Sequence, residues 1–182
     1  MRRISTVLAA ALAVFWLTAG ADAFAESDEE LNALADQAIG DLYKESSAAK
    51  SLGAKANGIL IFPKITKGGF IVGGEYGEGV LRVGGKTEGY YSSASGSIGL
   101  QIGISTRSLV IMFLDQAALD KFLNSDGWEA GVDADVAVVE SGASGSIDST
   151  TTKQPVVAFN FGEAGLMAGV SVEGTKVTKL DR

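Results

Sequence analysis

Glycine interrupts the apolar stretches of this chain every few residues between positions 68 and 89, as Gly68-Gly69, Gly73-Gly74, Gly77, Gly79, Gly84-Gly85 and Gly89. Inside a strand each glycine costs order and packing unless the backbone must bend sharply or pass close to another segment. Strongly curved antiparallel strands supply that need through bulges and bends. The surrounding pattern is strand-like. Ile59 to Phe62 is a continuous apolar run closed by Pro63, a short buried strand. Ile98, Leu100, Ile102 and Ile104 alternate with Gly99, Gln101, Gly103 and Ser105, the period of a strand with one buried face. Leu109 to Leu114 is apolar without a break, a central strand buried on both sides. Val132, Ala134, Val136 and Val138 resume the alternation, and Val156 to Phe161 and Leu166 to Val172 read as the last main strands. Ser141 to Gln154 is small and polar, a hairpin loop.

Two segments carry helical spacing instead. Ser27 with Glu30 forms a capping box, and Asp28 and Glu29 suit the positive end of a helix dipole. Leu31, Leu34, Ala35, Ala38, Ile39 and Leu42 then recur on one face, with Gly53 as the stop, which predicts one long amphipathic helix. The second helix spans Gln116 to Leu123, with Asp115 as N-cap and Leu119, Phe122 and Leu123 inward. The fold class expected is α+β, mainly β: a curved antiparallel sheet or small barrel with an N-terminal amphipathic helix and one short inserted helix.

Composition removes most catalytic chemistries. The 182 residues include no histidine and no cysteine, which excludes Ser-His-Asp and Cys-His catalysis, zinc fingers and a disulfide framework. A sequence pI near 4.6 argues against nucleic acid as a partner. Residues 1–25 read as a signal peptide: basic Arg2-Arg3, apolar Val7 to Leu17, and small-x-small sites within Ala21 to Ala25. Cleavage after Ala25 leaves a single domain, 26–182, and takes the net charge from −7 to −8. The expected location is the periplasm or beyond, without a lipoprotein cysteine.

Short motifs fail on context. Gly84-Gly85-Lys86-Thr87 lacks both the upstream glycine spacing and the following helix of a P-loop. Ser47-Ala48-Ala49-Lys50 has the S-x-x-K spacing of serine acyl enzymes, but neither an S-D-N nor a K-T-G partner occurs. Asp133 and Asp135, two apart on an expected strand, read as a solvated face or as two oxygen ligands for a hard cation. Lys64, Lys67, Arg82 and Lys86 are either scattered solubilising charge or a basic spot for an anionic head group. The first helix either covers the sheet as core or turns its apolar stripe, Leu31, Leu34, Ile39 and Leu42, to lipid. From Glu26 to Lys55 it carries seven acids against three lysines, which opposes an anionic membrane. An apolar cavity beneath it would favour lipid.

Segments spread through nearly all of residues 54–174 resemble the SYLF domain family. They are Ala54 to Phe70 with Ile59-Leu60-Ile61-Phe62-Pro63-Lys64 at the centre, Gly73 to Leu81, Gly89-Tyr90-Tyr91, Ser97 to Gly103, Gly131 to Asp135, and Gly165 to Gly174. The resemblance implies a lipid-binding module without known chemistry, its N-terminal amphipathic helix and nearby basic residues contacting membrane. By position that assigns Leu31, Leu34, Ile39, Leu42, Lys64 and Lys67, with Arg82 and Lys86 added from the charge pattern. The reading is therefore a non-enzymatic lipid-binding or membrane-associated module of the bacterial envelope, with lipid or the membrane surface as partner. The alternative is an envelope protein-protein interaction or structural protein. No catalytic residue, metal ligand or cofactor is assigned.

Overall fold

The computed structural model describes residues 26–69, 72–98, 105–139, 153–162 and 165–182. The expected signal peptide, residues 99–104 of the alternating run and nearly all of the Ser141 to Gln154 stretch lie outside them. In chain order the elements are α1 (Asp28–Glu45), α2 (Ser47–Gly53), β1 (Gly58–Gly69), β2 (Val72–Val83), β3 (Lys86–Ile98), β4 (Ser105–Phe113), α3 (Gln116–Leu123), β5 (Trp128–Glu129), β6 (Val136–Val139), β7 (Val156–Gly162), β8 (Gly165–Leu166) and β9 (Lys176–Leu180). The strands form one sheet, ordered β5-β9-β3-β2-β1-β4-β7-β6 with β8 beside β7, curled into a half-barrel. Its pairings are antiparallel except β6 with β7.

Strand period sorts the core onto two faces. In β4, Leu109, Ile111 and Phe113 point to one side and Val110 and Met112 to the other, all fully buried, as the unbroken run predicts. The first face packs Leu60, Phe62 and Leu81 under Trp128 and under Leu119 and Phe122 of α3. Phe122 lies 4.9 Å from Phe113 and 5.7 Å edge-on to Trp128, between ring centroids. On the second face Leu31, Ala35, Ala38 and Leu42 of α1, with Ala49 and Leu52 of α2, cover Ile61, Val80, Val157 and Phe159.

Local chemistry explains the elements. Gly84 and Gly85, at φ +57° and +78°, supply the two positive-φ positions of a two-residue hairpin between β2 and β3. Asp115 caps α3, accepting the amides of Ala117 and Ala118 at 2.6 and 3.3 Å. Asp115→Ala is expected to cost about 1 kcal/mol of stability in urea unfolding.

Several expectations need correction. The single first helix is two, broken at Ser46, whose extended backbone and hydroxyl cap α2 through the Ala49 amide at 3.1 Å. A serine that offers the backbone this alternative ends α1 although the apolar spacing continues. Pro63 does not close β1. The strand slips register between Ile61 and Lys64 against β2 and between Phe62 and Ile65 against β4, and this bulge around Pro63 is where a residue without an N–H fits a central strand. Leu123 is 37% exposed rather than inward. Residues 131–133 form a turn instead of a strand, because Asp133 accepts the Glu129 amide through its carboxylate (2.7 Å) and returns its own amide to the Glu129 carbonyl (2.9 Å). Only Gly165–Leu166 of the last expected strand is extended and paired, and the Asn160 side chain, not a neighbouring strand, binds the Val170 carbonyl at 3.1 Å.

Candidate lipid-facing site

A polar seam fastens the first half of α1 to the β2-β3 hairpin. Asp36 pairs with Arg82 at 2.7 Å, Arg82 donates to the Thr87 hydroxyl at 2.7 Å, and Thr87 donates to Asn32 at 2.8 Å. Asn32 in turn donates to the Tyr90 hydroxyl at 2.7 Å. Arg182 lies 5.7 Å over the Tyr90 ring and bonds the Glu26 carbonyl, Asp28 and Glu78. Burial opposes the charge of Arg182, but its bonds to Glu78 and Asp28 outweigh that and leave it more basic than usual. Burial also lifts the Glu26 carboxyl above its ordinary range, partly offset by the charge of Lys64.

The second half of α1 stands over an open cleft. Its wall runs from Leu34 to Glu45, and its other side is Pro63 and Lys64 of β1, Thr106 to Ser108 of β4, and Phe161 and Gly162 of β7. The space is about 430 Å³, with Leu34, Ala38, Pro63 and Phe161 as its apolar lining. The β1 bulge lies beside it, and the Ser108 hydroxyl ties the Pro63 carbonyl at 2.7 Å. At the rim Lys44 pairs with Asp41 at 2.7 Å, whereas Lys64 is exposed and has no carboxylate within 4 Å among the described residues.

A second polar cluster centres on Arg107, itself one of the residues that line the cleft. Arg107 donates to Glu75 at 2.7 and 3.3 Å and to the Asn160 side chain. Lys67 approaches the other Glu75 oxygen at 3.7 Å. The Arg107 and Glu75 side chains are 9% and 12% exposed, and Asn160 is fully buried.

Of the eight expected contact residues, the fold brings only Leu34 and Lys64 to one place, the cleft. Leu31 and Leu42 are fully buried against the sheet, and Ile39 is half-buried on the same core. Lys67 belongs to the Glu75 cluster, Arg82 to the seam, and Lys86 is exposed beside the β2-β3 turn. Asp133 and Asp135 do not share a strand face, since Asp133 sits in the turn before β6. Sequence reasoning missed Asn32, Asp36, Arg107 and Asn160. The last two had a signal: a lone cation at the entry of an apolar run, and a lone amide inside Val156 to Phe161, each needing a partner if buried.

Residues 94–182 match the Ysc84 family model, described as "Las17-binding protein actin regulator". Beta cell expansion factor A of Aeromonas veronii is 30% identical over 148 residues, covering 80% of this chain and 54% of that protein. The chain thus spans about half the length of the curated relative it matches. These matches bear out the resemblance to the SYLF family, which the family model covers directly over residues 94–182.

Proposed function

We propose that this protein is a non-enzymatic lipid-binding or membrane-associated module exported to the bacterial envelope. The cleft carries this reading: it is an amphipathic opening beneath a helix whose apolar stripe is otherwise closed against the sheet. The exposed face of α1 holds Glu29, Glu30 and Asp36, so contact with anionic lipid runs through Lys64 at the cleft mouth and Lys86 at the hairpin rather than through that face. Each such cation is worth about 1 kcal/mol at an anionic surface. The mature chain is expected to float with phosphatidylglycerol and cardiolipin vesicles at low salt, and Lys64→Glu with Lys86→Glu to reduce the bound fraction. Absence of co-flotation at every salt, with no lipid in native mass spectra, would sink the proposal.

The acidic face of α1 and the family description as a protein-binding regulator favour a second reading, an envelope protein as partner. Pull-down from an envelope extract with Glu29→Lys and Glu30→Lys as the comparison separates it from the first.

A further inference from the structure

We infer that the cleft is a site for one single-chain fatty carboxylate, its chain on Leu34, Ala38, Pro63 and Phe161 and its head group at Lys64. The site rests on the lipid-binding reading and narrows it to one acyl chain in one place.

The gap follows from how α1 is held. The seam fixes the helix through Asn32 and Asp36, and the helix is a straight rod over the turns that follow. Between Gln37 and Glu45, no α1 side chain has a hydrogen bond to the sheet among the described residues. Below this half β1 slips register around Pro63, and the side chain of Ala38 is too short to fill the space. An opening of about 430 Å³ falls at the lower end of small-molecule pockets, which run from about 300 to 1,000 Å³. That favours one acyl chain over the two of a phospholipid.

Charge sets the orientation. Lys44 is paired with Asp41, and the Arg107 guanidinium is committed to Glu75 and Asn160, so Lys64 is the lining cation left for an anion. Ser108 spends its hydroxyl proton on the Pro63 carbonyl, which leaves the Thr106 hydroxyl as the neutral donor on the same side. Glu45 stands on the helix side of the lining and repels a carboxylate placed there, so the head group lies at the β1 and β4 side.

The test uses the mature chain with oleate as probe. Calorimetry and native mass spectrometry are expected to give one oleate per chain, with Lys64→Glu and Leu34→Trp each weakening binding at least tenfold and Lys179→Glu, exposed on β9 away from the cleft lining, leaving it unchanged. Urea midpoints of the variants confirm that each is folded. Because the chain contains no cysteine, Leu34→Cys provides a single thiol, and oleate is expected to slow its reaction with a maleimide. The same oleate is expected to leave a Lys179→Cys thiol unprotected. No bound oleate, or bound oleate that leaves the Leu34→Cys thiol as reactive as before, overturns the site. Vesicle flotation of the same samples keeps the two ideas apart. Vesicle binding without oleate binding overturns the cleft site and leaves the membrane reading standing, whereas one-to-one oleate binding without flotation supports the site and overturns attachment to a membrane surface.

Discussion

Glu75→Ala is expected to cost about 3–5 kcal/mol of unfolding free energy, seen as a lower urea midpoint at unchanged slope. The Arg107 side chain is 9% exposed, and Glu75 is the carboxylate that compensates its charge with two hydrogen bonds. Without it, Arg107 and Lys67 remain as neighbouring cations and only Asn160 still bonds the guanidinium. Burying an uncompensated charge is far costlier than losing an exposed pair. Asp36→Ala is the internal comparison. It also breaks an arginine-carboxylate pair at 2.7 Å, but the Asp36 side chain is 70% exposed, and about 1 kcal/mol or less is expected. Exchanging both charges of the buried pair for apolar groups, as Glu75→Leu with Arg107→Met, is expected to recover most of the loss. Equal costs for Glu75→Ala and Asp36→Ala would mean that water reaches Arg107 and that the cluster is no buried clamp.

The contrast between these two arginines also marks what the sequence could disclose. Where a few adjacent residues decide the outcome, reading them sufficed: Asp115 before Gln116 to Leu123 gives the α3 cap, and the unbroken Leu109 to Leu114 run gives a strand buried on both faces. The break at Ser46 was not legible, since helical spacing continues across it and the hydroxyl becomes a cap only when α2 docks Ala49 and Leu52 on the sheet. The four cations of the expected basic spot are dispersed for a related reason. Lys64 and Lys67 both lie in β1, and an odd separation within a strand puts two side chains on opposite faces. Arg82 finds its carboxylate 46 residues earlier, a pairing fixed by the docking of α1 and by nothing local. Of the residues that line the cleft, only Leu34 and Lys64 stand out in the sequence. The other half depends on how the β1 bulge faces β4 and β7, which only the assembled sheet determines.

The glycines themselves carry the second large effect, and they are not equivalent. An added methyl at Gly79 would lie 2.5 Å from the Ile61 carbonyl oxygen and 2.5 Å from the ring of Phe62, and one at Gly77 would lie 2.5 Å from the Lys64 carbonyl oxygen. These contacts flank the β1 bulge, so the missing side chains are what let β2 close over it. Phe62 is fully buried and cannot swing away, and a backbone carbonyl in the middle of a sheet yields only if the strand moves. Gly79→Ala is therefore expected to cost about 3 kcal/mol, the upper end for overpacking, with Gly77→Ala close behind. Gly68 and Gly96 have nothing within 4 Å of such a methyl. Alanine there is expected to change stability by no more than about 0.5 kcal/mol in either direction, because lost freedom of the unfolded chain offsets any small strain. Urea midpoints of the four variants decide the matter. A loss confined to positions 77 and 79 ties the close passage of β2 over β1 to those two glycines, whereas four equal losses would mean that glycine acts here through general backbone freedom and that the bulge does not depend on that contact.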